Sequence, residues 1–189
     1  MNYYIAYEAN NPINMVFYNP ISIDTNTLKI RLLDDITLNP QKDYEFIFNL
    51  DGANLALVGK PIEIKGSEAT ILIKESRIEL RRYPRIAVPN NLVMVQIDNF
   101  KGVLKDISLG GCRVALNSPI LSSLLNKGYE KVARFILPDN YQVEIPVQIV
   151  WASKGKRQIS CAFKERNVQV LELYKKIINL IKNSLEKID

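Results

Sequence analysis

Three arginines lie within five residues of one another in the run Arg81-Arg82-Tyr83-Pro84-Arg85. Pro84 disfavours a helical conformation at Tyr83, so we expect an extended linker or lead-in strand whose arginines can converge on a ligand. A guanidinium binds phosphate through two parallel hydrogen bonds, docks on the O6/N7 edge of guanine and stacks on a base. The run therefore predicts a nucleotide or phosphate site, with a solvated basic linker as the alternative.

A second polar run, Asp106-Ile107-Ser108-Leu109-Gly110-Gly111, closes a predicted strand and enters a Gly-Gly turn. The Asp106 carboxylate can accept two parallel donors, which suits the Watson–Crick edge of guanine, and Ser108 adds a hydroxyl. Gly110 and Gly111 would allow positive φ and close backbone approach. The alternative is a turn that is capped by its own Ser and Asp side chains.

The chain has 189 residues and no histidine, which excludes Ser/His and Cys/His nucleophile pairs, histidine general bases and His-containing zinc sites. Cys112 and Cys161 are too few for a four-ligand metal site and too widely spaced for a CxxC pair, so a reduced pair is expected and a disulfide stays open. Asp98 and Asp106 lack the partner spacing of a catalytic carboxylate pair or magnesium site. We therefore expect a protein that is not an enzyme and that needs no metal or cofactor.

The first residues, Met1 to Glu8, lack the basic segment and apolar run of a signal peptide, and no apolar stretch approaches the ~20 residues that span a bilayer. A hydrophobic fraction of 47% beside 24% charged residues is typical of a soluble globular protein. These features predict a cytoplasmic location.

The formal charge of +5 is unevenly distributed along the chain. Residues 1–78 carry 7 Lys+Arg and 10 Asp+Glu, a net of −3, whereas residues 79–189 carry 18 and 10, a net of +8. The change occurs at the arginine run. This asymmetry predicts two domains, 1–78 and 79–189, and predicts that an anionic partner meets the second one.

Both segments alternate apolar and polar residues in the manner of β-strands. The first segment predicts a small antiparallel barrel, with strands at Leu28 to Leu32, Tyr44 to Phe48, Ile62 to Ile64 and Thr70 to Ile73. The second predicts six strands, at Leu92 to Ile97, Gly102 to Ile107, Cys112 to Leu116, Lys131 to Leu137, Val143 to Trp151 and Arg157 to Phe163. Pro146 lacks an N–H, which predicts a sheet edge or a bulge at that position.

From Asn167 the apolar residues recur every three or four positions, which predicts an amphipathic helix with lysines on its other faces. The predicted stripe comprises Leu171, Tyr174, Ile178, Ile181, Leu185 and Ile188. We expect the stripe to pack on the barrel, and dimerisation through it is the main alternative. A membrane-surface role is less favoured, because Glu172 and Glu186 dilute the basic face.

Taken together, the two polar runs resemble the signature of the PilZ domain family, bacterial receptors for cyclic di-GMP, which is RxxxR followed after a strand by [D/N]xSxxG. Arg81 to Arg85 match the first part and Asp106 to Gly111 the second, in the same order and with similar separation. Trp151 and the strand Ile159 to Phe163 also resemble the family's later strands, although the family usually has glycine where Ser160 stands. The resemblance covers residues 79–189 and implies a six-stranded barrel with a C-terminal helix.

The resemblance also implies roles for individual residues. Arg81 and Arg85 would grip phosphate and guanine, with Arg82 as a third contact, while Asp106 and Ser108 would hold a guanine edge and a phosphate or ribose. Gly110 and Gly111 would shape the turn beside the ligand. Some members carry another arginine before RxxxR and bind a stacked ligand dimer; Leu80 stands there, so one cyclic di-GMP per protomer is expected.

The first segment resembles, in order and length only, the barrel that precedes PilZ in flagellar-brake (YcgR-like) proteins. The resemblance implies that ligand closing on the interdomain linker reorients the barrels and signals to a protein partner in the flagellar motor or biofilm machinery. The protein would be a monomer or homodimer, and DNA is not expected as a partner. Two alternatives stay open: a basic barrel that binds single-stranded nucleic acid, and a non-switching PilZ scaffold in pilus or flagellar assembly.

Overall fold

A computed structural model of the chain describes residues 3–50, 53–79, 83–118, 130–153, 157–164 and 167–185. Backbone contacts divide the chain into two compact units, Met1–Pro84 and Arg85–Asp189. The domain boundary that the charge change predicts, between residues 78 and 79, stays a prediction. Both units are built mainly from antiparallel strands, as the alternation of apolar and polar residues predicts.

The first unit is a closed barrel in which β1 and β4 pair to complete the ring β1-β2-β3-β6-β5-β4. Tyr18 and Phe46 meet edge to face inside it, with ring centroids 5.5 Å apart, and both are fully buried. Aromatic pairs of this kind add to the free energy that apolar burial contributes. The strands are β1 (Tyr4–Glu8), β2 (Asn11–Ile23), β3 (Thr27–Leu32), β4 (Tyr44–Leu50), β5 (Ala53–Lys65) and β6 (Glu68–Glu79).

The sequence patterns of the first unit predicted four of these six strands and missed β1 and β2. The prolines of β2, Pro12 and Pro20, follow asparagine and resemble turn signals. Pro20 instead lies at an irregularity in the β2–β3 pairing, where the register shifts between Pro20 and Ser22. A bulge of this kind tolerates proline because one ladder hydrogen bond is already lost there.

The second unit closes a ring of six strands, β9-β10-β13-β12-β11-β8, and a short strand, β7, pairs with the free part of β9. All six strands predicted for this segment are present. Its core includes Phe135 and Phe163, whose rings meet edge to face at 6.2 Å. The strands are β7 (Ile86–Ala87), β8 (Met94–Ile97), β9 (Phe100–Ser108), β10 (Gly111–Leu116), β11 (Glu130–Ile136), β12 (Gln142–Ser153) and β13 (Gln158–Phe163).

Pro146 lies where β12 has a neighbour on one side only. It pairs with Val132 of β11, whereas the pairing with β13 begins one residue later, at Val147 opposite Phe163. This local edge agrees with the prediction from the missing N–H. The bulge in β12 lies further along, between Ile149 and Trp151, and it leaves both Val150 and Trp151 half exposed.

The helix, α1, runs from Val168 to Leu185 after an N-cap at Asn167. The backbone N–H of Gln169 donates to Asn167 Oδ1 at 2.9 Å, which satisfies one of the unpaired amides of the first turn. One face of α1 is buried and the helix contacts β12, so its stripe packs on the barrel as expected. The helix is not apolar enough to cross a membrane, and neither is any other that the described ranges contain.

The buried face of α1 is wider than the predicted stripe. Leu171 is only partly buried, Leu185 has no described side chain, and Ile188 lies outside the described residues. The buried face also includes a second row of residues beside the predicted stripe, because a helix that packs on a sheet buries positions on both sides of its contact line. The buried positions are Val170, Leu173, Tyr174, Ile177, Ile178 and Ile181.

Candidate ligand-binding site

The short strand β7 brings the end of the arginine run beside the turn after β9. Ile86 pairs with Ile107 and Ala87 pairs with Asp106, and the N–H of Val88 donates to the Lys105 carbonyl at 2.9 Å. Continuing this antiparallel register by one residue places Arg85 opposite Ser108. Arg85 is exposed. Arg85, the last residue of the arginine run, therefore lies beside the run from Asp106 to Gly111 at this edge of the barrel.

Two of the predicted arginines, Arg81 and Arg82, lie outside the described residues, as does Leu80. Their proposed contacts with phosphate and guanine therefore stay predictions. Among the arginines of the run, the structure describes Arg85 alone.

Asp106 is a buried carboxylate with one oxygen in an ion pair and one that lacks a donor among the described residues. Its residue is 6% exposed, and its Oδ2 atom forms an ion pair with Nη2 of Arg113 at 2.6 Å. Its Oδ1 atom is also buried and accepts no hydrogen bond from the residues that the structure describes. A buried acceptor without a donor costs about 1–3 kcal/mol. This oxygen is therefore an acceptor whose hydrogen-bonding capacity the described residues leave unused.

Ser108 caps the turn that follows it. Its hydroxyl donates to the Gly111 carbonyl at 3.2 Å and accepts from the N–H of Gly110 at 3.3 Å. The self-capped turn that the sequence left as an alternative is therefore present. The Ser108 oxygen has a second lone pair, so capping leaves it one acceptor position for a ligand.

Gly111 is required for close approach of two strands. A Cβ atom built on it would lie 2.3 Å from the carbonyl oxygen of Cys161 in β13, a distance that backbone must move to relieve. The expected positive φ is absent at both Gly110 and Gly111, and Gly66 is the glycine with positive φ in the described ranges. The turn requires glycine at position 111 because there is no space for a side chain. It does not require a left-handed backbone conformation, since the hairpin closes without positive φ at either glycine.

The two cysteines meet beneath the site. Cys112 of β10 pairs directly with Cys161 of β13, and both thiols are buried and free. The pKa of Cys112 is raised by its hydrogen bond with Cys161, by burial and by the Asp106 carboxylate, whereas the Arg85 guanidinium lowers it. The expected reduced pair is present, and both site charges are felt at the thiol below them.

Arg113 is a site residue that the sequence analysis missed. It pairs with Asp106 across β10 and β9, and its side chain is 44% exposed. The signal was present, because Cys112, Val114 and Leu116 are the inward positions of β10, which leaves Arg113 on the outer face. What the pattern did not reveal is the pairing partner.

The outer face beside Arg113 continues into a row across the barrel. Arg113 pairs with Ser160 of β13, and Ser160 pairs with Trp151 of β12. On the neighbouring row Gly111 pairs with Ala162. The short side chain of Ser160 therefore lies between Arg113 and the half-exposed Trp151.

A cleft of about 340 Å³ lies where β13 ends beside Pro146. It reaches Ala162, which pairs with Gly111 of the turn. The cleft is lined by Glu130, Pro146, Val147, Gln148, Ala162, Phe163 and Lys164. In the described part of the chain, no three His, Cys, Asp or Glu side chains come together in a group that could hold a metal ion.

Several solved structures are similar to the chain. The K. pneumonia MrkH–c-di-GMP complex is 18% identical, with a TM-score of 0.45, over 98% of this chain and 90% of that one. The Bacillus subtilis inhibitor of motility, MotI/DgrA, is 15% identical, with a TM-score of 0.38, over 98% of this chain and 97% of that one. A search of the curated proteins found no match.

The model of one protein family matches more than half of the chain. The family is the PilZ domain, and the matched residues are 79–182. This range contains the arginine run, the Asp106 to Gly111 turn, the six-stranded ring of the second unit and most of α1. The chain therefore belongs to the PilZ domain family.

Proposed function

We propose that this protein is a receptor for cyclic di-GMP that catalyses no reaction. The observation that carries the proposal is the buried Oδ1 of Asp106, which has no donor among the described residues and lies one strand away from the segment that carries Arg85. A dinucleotide with guanine bases supplies both the N–H donors that this oxygen lacks and the phosphates that arginines bind. The proposed contact residues are Arg81, Arg82, Arg85, Asp106, Ser108, Gly110 and Gly111.

Each residue has a separate task in this proposal. Arg85, exposed beside the turn, binds a phosphate or a guanine edge, and Arg81 and Arg82 add two further guanidiniums from the preceding segment. Asp106 accepts the N–H groups of a guanine. Ser108 holds the turn closed and offers its remaining lone pair to a ribose hydroxyl.

Titration calorimetry with cyclic di-GMP tests the proposal. We expect the intact chain to bind with one ligand per protomer, and Arg85→Ala and Asp106→Ala each to lose about tenfold or more in affinity, since each removes a charged hydrogen-bonding group. Arg134→Ala is the matched control, because Arg134 is an exposed arginine of the same barrel that pairs with Glu144. No heat with the intact chain, or unchanged affinity in both site variants, would contradict the proposal.

Binding of single-stranded nucleic acid is separated from this function by competition. If an oligonucleotide binds through the basic surface, its affinity should fall steeply as the salt concentration rises, because binding releases counterions from many phosphates. We expect cyclic di-GMP to retain its affinity in the presence of excess oligonucleotide. Displacement of the dinucleotide by the oligonucleotide would favour the nucleic-acid alternative.

We further propose that binding changes the orientation of the two units and so alters contacts with a protein partner that controls motility or biofilm formation. The support is the position of the arginine run, which follows β6 of the first unit and precedes β7 of the second. A ligand shifts such an equilibrium only if it binds one arrangement better than the other. We expect X-ray scattering to change on addition of cyclic di-GMP; an unchanged profile with bound ligand would contradict the switch and leave the receptor function intact.

A further inference from the structure

We infer that Arg113, which lies outside the PilZ signature, is a specificity-determining residue that makes the Asp106 site selective for guanine over adenine. The inference rests on the proposed function, because it concerns how the same site recognises its base. It has two parts. Arg113 positions the Asp106 carboxylate, and its remaining N–H groups contact the base.

The positioning part follows from the asymmetric surroundings of Asp106. Arg113 holds Oδ2 at 2.6 Å, while Oδ1 is buried without a donor from the described residues. A carboxylate that is held at one oxygen cannot rotate freely about its last bond, so Oδ1 keeps a fixed direction. The pair therefore offers one acceptor to a ligand in a defined place.

The strand register keeps the two side chains together on the outer face. Asp106 and Arg113 are direct partners, and the register shifts just after Arg113, where Val114 pairs with Leu104. Lys105 is thus the extra residue of a β-bulge, which lets Leu104 and Ile107 both face the core while Asp106 faces out beside Arg113. Without this bulge, alternation would point Asp106 and Leu104 in the same direction.

The contact part follows from the donors that Arg113 has left. A guanidinium carries five N–H groups in a planar fork, and the ion pair with Asp106 involves one nitrogen, Nη2. The side chain is 44% exposed, and its partner on the other side is the short side chain of Ser160. A base that approaches Asp106 from outside therefore meets the guanidinium as well.

The pair presents a donor next to an acceptor, which is complementary to guanine. Guanine offers the O6 acceptor beside the N1–H and N2–H donors, so O6 faces Arg113 while the N–H groups face Asp106 Oδ1. Adenine has an amino donor in place of O6 and a bare nitrogen in place of N1–H. With a phosphate held by Arg85, as the proposed function has it, adenine cannot turn over to match, and its N1 lone pair would face the carboxylate.

Calorimetry with cyclic di-GMP and cyclic di-AMP on the full chain tests this inference. We expect the intact chain to prefer cyclic di-GMP, and Arg113→Ala to lose about tenfold or more in affinity for it, since a charged hydrogen bond is lost. The preference over cyclic di-AMP should narrow by a similar factor. If Arg113 had a purely structural role, its removal would lower the affinity for both ligands equally and leave the ratio of the two affinities unchanged.

Arg113→Lys is a second variant that keeps a cation beside Asp106 and protects the fold. It should retain the thermal stability of the intact chain but recover only part of the selectivity, because an ammonium lacks the planar fork. Arg134→Ala should leave the affinities for cyclic di-GMP and cyclic di-AMP unchanged. If Arg113→Ala and Arg113→Lys both keep the affinity and the selectivity of the intact chain while Arg85→Ala loses binding, the inference is wrong and the receptor function stands. If the intact chain binds neither dinucleotide, both fail.

Discussion

At the residue scale, the candidate site is built from a few polar groups and one glycine, each with a distinct physical role. Asp106 has one oxygen paired with Arg113 and one buried oxygen without a donor among the described residues, and the Ser108 hydroxyl holds the turn closed. Gly111 contributes by lacking a side chain where the Cys161 carbonyl passes. The sequence singled out these residues and predicted both positive φ and close backbone approach for Gly110 and Gly111; the structure shows the close approach at Gly111 and positive φ at neither.

Gly111→Ala should destabilise the second unit by roughly 1–3 kcal/mol, because its Cβ would lie 2.3 Å from the Cys161 carbonyl oxygen. Gly66→Ala is the comparison: nothing lies within 4 Å of its Cβ, but its φ of +58° strains an L-residue, at a cost of roughly 1 kcal/mol. Urea unfolding measures each variant in its own unit: the fluorescence of Trp151, the single tryptophan, reports the second unit, and far-UV circular dichroism also reports the first unit, which contains Gly66. Fluorescence transitions that coincide for Gly111→Ala and the intact chain would contradict the close-approach argument.

At the element scale, two short features position the site, and neither follows from periodicity. The two-residue strand β7 carries Arg85 to the turn, and the bulge at Lys105 turns Asp106 toward Arg113. Both depend on pairing with distant strands, so a local window of sequence contains no pattern for them. Longer elements with clear alternation, such as β12 and β13, were predicted well.

The N-cap of α1 gives a prediction at this scale. Asn167→Ala should lower the free energy of unfolding by about 1 kcal/mol, because the Gln169 N–H loses its acceptor. Asn167→Ser should have little effect, since serine caps as well as asparagine. Thermal unfolding of the three proteins measures the difference, and equal midpoints for Asn167→Ala and the intact chain would show that this cap contributes nothing.

At the scale of the whole molecule, each unit closes its own barrel around its own aromatic core. Phe46 is buried in the first barrel and Phe135 in the second, and neither is measurably exposed. The two predicted domains carry net charges of −3 and +8, and the positively charged one contains the residues that match the PilZ family. Separate cores predict that damage to one barrel leaves the other folded.

Phe46→Ala and Phe135→Ala form a matched pair that tests this independence. Each should cost its own barrel about 3–5 kcal/mol, the usual loss for a buried phenylalanine. Hydrogen exchange measured along the chain should show lost protection within β1 to β6 for the first variant and within β8 to β13 for the second. Loss of protection throughout the chain in either variant would mean that the two barrels unfold as one unit.

The sequence by itself determined the strand-rich architecture and the helix after Asn167, and it contains the two runs that resemble the PilZ signature. These follow from residue types and short spacings, which local propensity and alternation express directly. Only the tertiary structure decided that Arg113 is the partner of Asp106, that Cys112 faces Cys161 and that β7 lies along β9. The physical reason is register: a shift of one residue exchanges the faces of a strand, and the register here is set by bulges and by partners far away in the chain.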